Sequence, residues 1–163
     1  MLSACWASLP AQCRVLSDGT RSHTDICERS LRGYFVTMIA GIYQPQTRQL
    51  QVNAGHMPAL VLGPGEAIRL IETGEQPLGI LPDTRFSLSE PIELRGATLY
   101  LYSDGVTEAK TVNGGMLGQE GLVTLLQQHA GKPPAQRLQA VVGAIRPQQQ
   151  LHDDITLLTV SGE

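Results

Sequence analysis

Two carboxylates in this 163-residue chain stand where a rigid backbone would aim them. Asp104 follows the apolar run Ala97-Thr98-Leu99-Tyr100-Leu101-Tyr102 after a single serine, and Gly105 comes next. Asp153, with Asp154 behind it, immediately precedes another apolar run, Ile155–Val160. A carboxylate at the mouth of a buried strand is held in place and partly desolvated. Several converging from different strands make a site for a hard divalent cation. Gly105 would let backbone approach such a cation or its waters. A plainer reading stands beside this one: Asp-Gly after a strand also makes a turn, and Asp-Asp before a strand a solvated cap.

The remaining polar candidates are less pointed. His56 lies in Asn53-Ala54-Gly55-His56-Met57-Pro58, a tight connection between strands in which Asn53 and Gly55 serve the turn. Its imidazole suits a general acid or a phosphate contact, and equally a hydrogen-bonded structural role. His152 could position a substrate beside Asp153 or simply be exposed. Glu108 is either a neighbour of the Asp104 site or a first-turn helix acid favoured by the dipole. Cys5, Cys13 and Cys27 are odd in number and lack CxxC spacing. They fit reduced thiols better than a disulfide framework. His23 and Cys27 are near enough to be two metal ligands, which falls short of a zinc site. There is no Walker-type loop and no GxSxG, and the cysteines have no convincing His partner for nucleophilic catalysis.

Hydrophobic residues make up 42% of the chain and charged residues 17%, the balance of a folded domain. The 12 Lys and Arg are scattered among 15 Asp and Glu, for a net charge of -3. This excludes a nucleic-acid or anionic-membrane surface, either of which needs clustered basic charge. No segment approaches the ~20 apolar residues that span a bilayer. The first residues lack a basic, then apolar, leader pattern, so a cytoplasmic protein is expected.

The elements that must position these residues follow from periodicity. Tyr34–Tyr43 is β-branched, aromatic and almost unbroken, which predicts a strand buried on both faces. A turn at Gln44–Arg48 and an alternating strand Gln49–Ala54 complete a hairpin. Strands are also predicted at Ala59–Leu62 and Ala67–Ile71, then a Gly- and Pro-rich loop over Glu72–Asp83. Arg85–Leu94 alternates around Pro91, and Ala97–Tyr102 reads as a buried strand with a short helix from about Val106. Helices follow over Gly118–His129 and Pro134–Ile145, the latter with Leu138, Val141, Val142 and Ile145 on one face. The last strand is Ile155–Val160, and a short helix is predicted near Thr24–Leu31. Strands, then two helices, then a strand make an α+β pattern with mostly antiparallel pairing.

Five stretches together resemble one family. They are Phe35-Val36-Thr37-Met38, Asn53–Pro58, Pro77-Leu78-Gly79, Tyr102-Ser103-Asp104-Gly105-Val106-Thr107-Glu108-Ala109 and Asp153-Asp154-Ile155-Thr156-Leu157. Their order and spacing are similar to those of the metal-dependent (PPM, type 2C) protein phosphatases, in the SpoIIE/RsbU-like bacterial branch. The likeness runs from about Leu31 to Val160. It implies an αββα sandwich of two antiparallel sheets flanked by helices, with a binuclear Mn²⁺ or Mg²⁺ site. It implies hydrolysis of phosphoserine or phosphothreonine by a metal-activated water, in bacterial stress or sporulation-type signalling, with no side-chain nucleophile. By position Asp104 and Asp153 correspond to metal ligands of the family. Gly105, Asp154 and His56 correspond to neighbours that contribute backbone or orient water. The implied partner is a phosphoprotein, such as an anti-sigma-factor antagonist.

The chain also departs from that pattern. The family begins with an Asp-containing strand motif and then Gly-Asp-x-Ser-Gly-x-Gly, and nothing in residues 1–33 matches either. Asp18-Gly19 is the nearest candidate, in a polar turn. The expectation is therefore an irregular segment over 1–33 and the C-terminal part of the domain over 34–163, with the fold N-terminally incomplete. Two readings follow: a phosphatase whose other ligands come from upstream sequence, or a catalytically incomplete module that docks a signalling partner. Dimerisation through an uncovered sheet edge is a third expectation.

Overall fold

The computed structural model describes residues 23, 26–28, 35–72, 76–111, 114–145 and 154–162. Within them the chain runs β1 (Met38–Gln44), β2 (Gln49–Gly55), β3 (Ala59–Leu62), a 3-10 turn (Pro64–Glu66), β4 (Ile68–Ile71), β5 (Ile92–Glu93) and β6 (Thr98–Tyr102). Three helices, α1 (Asp104–Glu108), α2 (Gly118–Gln128) and α3 (Pro134–Ala144), precede the last strand, β7 (Leu157–Ser161). The chain divides into two units, residues 1–58 with 72–93, and residues 59–71 with 94–163. Each contains one antiparallel sheet, so the α+β class with two such sheets and helices is what the chain forms.

In the first unit the sheet order is β1-β2-β5. The hairpin closes with Gln44 opposite Gln49, and Arg48 takes a left-handed backbone (φ 55°) at the end of its loop. The expected two-sided burial of the first strand does not occur. Only Ile39 of β1 is buried, Gly41 is exposed, and Phe35 and Val36 are 57% and 43% exposed. Phe35–Thr37 stay outside the ladder, where Val36 exchanges both backbone hydrogen bonds with Leu78 (2.9 and 2.8 Å). A β-branched run determines extended backbone, whereas cover on both faces has to come from other elements. The alternating stretch 85–94 contributes only the two residues of β5, opposite Gln49 and Leu50. Residues 87–89 still follow β2, through one backbone bond and two that use side chains. Val52 N–H donates to Ser89 Oγ (3.1 Å), Ser89 N–H to Val52 O (2.7 Å), and Asn53 Nδ2 to Ser87 O (2.7 Å).

Asn53 and Gly55 therefore belong to β2 rather than to a turn. Asn53 is 6% exposed and spans to the neighbouring segment. Gly55 backs onto the Gln76 carbonyl, which a Cβ would meet at 2.5 Å. The small residue is set by this close approach.

In the second unit the order is β4-β3-β6-β7. All four residues of β3 are buried, and Leu60, Leu94, Leu99, Tyr100, Tyr102, Val106, Leu122, Leu126 and Val141 are all under 2% exposed. Arg137 of α3 fastens that helix to β6, donating from Nη1 to Tyr100 Oη (2.8 Å) and Thr98 Oγ1 (3.3 Å) and from Nε to Lys132 O (2.7 Å). Val142, expected on the core face of this helix, is 61% exposed. Burial is centred on Val141, 1% exposed, and Val142 lies about 100° round the helix from it, beyond the half-buried Leu138 at the edge of the stripe. Among the described residues no helix is long and apolar enough to cross a membrane.

Candidate functional site

The Asp104 region is built at the junction of β6 and α1. The helix was expected from about Val106 and starts two residues earlier, because Ser103 already turns its carbonyl to it and accepts from Val106 N–H at 3.0 Å. Asp104 is thus the first residue of α1, where a carboxylate suits the helix dipole. It is half-buried. Its Oδ1 accepts from Gly105 N–H at 2.9 Å, and its carbonyl accepts from Thr107 Oγ1 at 3.0 Å. Gly105, Val106 and Thr107 are buried, so the carboxylate sits on a rigid base. Glu108, read as a first-turn acid, is instead the last residue of the helix and exposed.

Ser103 joins this junction to the segment before β7. The ladder of β6 and β7 runs from Thr98 opposite Ser161 to Tyr102 opposite Leu157. One step further, Ser103 N–H donates to Thr156 O at 3.0 Å, as the ladder demands. The reciprocal bond changes atoms: Thr156 N–H goes to Ser103 Oγ (3.0 Å), and that hydroxyl donates to Asp154 O (2.9 Å). Ser103 itself is 8% exposed. Asp104, Gly105 and the Asp154 backbone are thereby brought to one end of one sheet. Asp153 and His152 lie outside the described residues. Asp154 has an exposed side chain. Nothing in the sequence pattern singled out Ser103. Its signal was its place between a buried strand and a helix start, and its meaning depends on facing Thr156.

His56 belongs to the first unit, half-buried in the bend after β2, with a hydrogen-bonding or ring partner. The same unit brings together the near pair that the sequence offered, His23 and Cys27. His23 Nε2 lies 3.5 Å from Cys27 Sγ, and His23 is 2% exposed. Its Nδ1 accepts from Gly79 N–H at 3.1 Å, so in the neutral ring Nε2 carries the hydrogen and points it at the sulfur. Phe86 closes the ring's side edge-on at 5.2 Å. This imidazole holds the Gly79 loop and has no lone pair left to take the thiol's proton.

Carboxylate oxygen is the donor chemistry a hard divalent cation takes, and Asp104 fits as one member of such a set. Among the described residues no group of three or more His, Cys, Asp and Glu gathers.

The family model described as Stage II sporulation protein E (SpoIIE) matches residues 10–162. The chain is a member of the SpoIIE family. SpoIIE-type phosphatases are metal-dependent. Among curated relatives, phosphoserine phosphatase RsbU of Bacillus subtilis is 28% identical over 130 residues, covering 77% of this chain and 38% of RsbU. This SpoIIE-family chain spans well under half the length of the curated relatives it matches. Among solved structures, the RsbU and RsbW domains of a Mycobacterium tuberculosis protein superpose with a TM-score of 0.69 at 24% identity, covering 92% of this chain and 41% of that one. The Mn-presoaked phosphatase domain of SpoIIE from Bacillus subtilis gives a TM-score of 0.60 at 16% identity, covering 96% and 74%. At these identities the likeness establishes the fold, which is that of the SpoIIE phosphatase domain.

Proposed function

We propose that residues 34–163 form the C-terminal part of a metal-dependent serine/threonine protein phosphatase domain. It would act on phosphoserine or phosphothreonine in a signalling phosphoprotein of a bacterial stress or sporulation pathway. The observation that supports this reading is the Ser103 junction, which brings the Ser-Asp-Gly motif and the backbone of Asp154 to one sheet end in a SpoIIE-family chain. Asp104 and Asp153 are the proposed carboxylate ligands. The Gly105 amide fixes one oxygen of Asp104. A divalent cation held there, Mn²⁺ or Mg²⁺, supplies charge neutralisation on the phosphoryl oxygens and lowers the pKa of the attacking water. Asp154, Gly105 and His56 are proposed to orient water or phosphate through backbone and imidazole. An anti-sigma-factor antagonist is the substrate class this reading favours; the likeness to phosphoserine phosphatase RsbU, and to a protein that carries RsbU and RsbW domains together, supports a phosphoprotein partner. A cytoplasmic setting and self-association complete it.

The second reading, a docking module without hydrolysis, is favoured by one observation: no group of three ligands gathers among the described residues. The test is Mn²⁺-dependent hydrolysis of p-nitrophenyl phosphate by the purified chain and by a chain extended upstream to include the family's Gly-Asp-x-Ser-Gly-x-Gly motif. Hydrolysis by the extended chain that falls to background in Asp104→Asn is the expected result. A folded extended chain with no metal-dependent turnover supports the docking module, and full activity in Asp104→Asn overturns the site.

A further inference from the structure

We infer that Ser103 is a positioning residue whose hydroxyl keeps residues 154–156 in register with Asp104. The argument is one of hydrogen-bond accounting. A strand that passes directly into a helix has one carbonyl claimed twice. The ladder wants Ser103 C=O for Thr156 N–H, and the first turn of α1 wants it for Val106 N–H. The helix takes it, at 3.0 Å. Thr156 N–H would then lie unpaired beside a buried junction, a costly arrangement for a backbone donor. A side-chain acceptor on the same residue removes the conflict, and Ser103 Oγ is at 3.0 Å. Because a hydroxyl also has a hydrogen to give, Ser103 reaches two residues back and binds Asp154 O at 2.9 Å. Alanine could do neither, and valine, though β-branched like threonine, has no hydroxyl. Threonine keeps the hydroxyl.

The consequence concerns the loop more than the helix. Ser103 stands at the N-cap of α1 and makes no side-chain cap bond. A Ser before a helix is ordinarily placed for capping. Here the hydroxyl is committed across the sheet, so its loss would release residues 154–156 while the first helical hydrogen bond, from Val106 N–H to Ser103 O, stays. This role rests on the proposed metal site, and it predicts that cation affinity depends on a residue that offers the cation no ligand.

The test uses the full ¹⁵N-labelled chain as wild type, Ser103→Ala and Ser103→Thr, with Mn²⁺ alone as probe. Amide exchange of Thr156 should quicken by about 10-fold or more in Ser103→Ala and return towards wild type in Ser103→Thr. Val106 exchange should change little. Mn²⁺-induced broadening of the Asp104, Gly105 and Thr156 signals should need about 10-fold more metal in Ser103→Ala and be restored in Ser103→Thr. Unchanged Thr156 exchange in Ser103→Ala overturns the inference. So does unchanged Mn²⁺ titration, and so does a folded Ser103→Thr that behaves like a Ser103→Ala defect. If Ser103→Ala does not fold, the Thr variant alone decides. Absence of broadening in the wild type overturns the metal reading itself, whereas broadening that Ser103→Ala leaves unaltered overturns only the positioning role.

Discussion

The sheet that leads to Asp104 and the sheet that leads to His56 hold their strands by different means. In the first, β6 is paired on both sides, to β3 and to β7, and Leu60, Leu99, Tyr100 and Tyr102 on β3 and β6 are fully buried. In the second, β2 is paired along its length to β1 and along only two residues to β5. Beyond those two residues it is held by individual polar groups: Ser89, Asn53 and Gln51, whose Nε2 donates to Ser89 O at 3.1 Å. The loop at Gly79 in the same unit is held by His23 and by the Val36–Leu78 bridge. Apolar cover is pooled over many atoms, so a strand end resting on it is stiff. Single hydrogen bonds are local, and each can fail alone. The difference teaches why the carboxylate expected to bind a cation stands on the Asp104 sheet. Ligand geometry needs positions fixed within fractions of an ångström.

Three substitutions break or sharpen that contrast. The largest effect is expected from Leu60→Ala, which leaves a cavity at a site with no exposure. It should cost about 2–5 kcal/mol in denaturant unfolding. A loss below about 1 kcal/mol would mean the Asp104 sheet is not held by its core. His23→Ala should cost less, about 1–3 kcal/mol, through the unpaired Gly79 amide and the lost Phe86 contact. Its signature is locality: exchange should quicken at Gly79 and stay slow at Leu99. Uniform quickening would erase the distinction between the two sheets. The smallest effect belongs to Tyr102, whose long bond to Gln119 Oε1 (3.4 Å) adds little. Burial raises the pKa of its hydroxyl above the ordinary 10.0. The unfolded chain therefore loses this proton first as the pH climbs, and the folded state binds more protons. The contribution is complete below pH 10.0 and is lost as the pH rises through the folded value. Tyr102→Phe should flatten the decline in stability over that window, and an unaltered decline would place its cause elsewhere.

Much of this molecule was legible beforehand, and the misses share a cause. The bounds of β2, β3, β6, α2 and α3 fall within a residue or two of expectation, because each has strong periodicity or sharp turn residues at its ends. The first strand was overextended towards Tyr34 and overburied, since a run of β-branched residues reports backbone preference and not what covers it. The stretch 85–94 alternates like a strand but pairs for two residues, and its bonds further along use side chains as well as backbone. Asn53 was read as a turn residue from its type, when its neighbour 34 positions away gives it a buried bond. At the site, Asp104 was identifiable because a charge directly after a buried strand is conspicuous. Ser103 was not, because serine before a helix has an ordinary explanation.

The sequence by itself determined the α+β class, the order of strands and helices, and the motif order that marks a SpoIIE-family phosphatase domain. These are carried by periodicity and by residues whose chemistry is visible in isolation. Only the tertiary structure decided which atoms of Ser103 serve the helix and which serve Thr156, and that His23 supports the Gly79 loop rather than activating Cys27. Both outcomes depend on which backbone groups were already taken by neighbours distant in sequence. A hydrogen bond has a limited number of donors and acceptors, and their allocation is settled only when the strands have met.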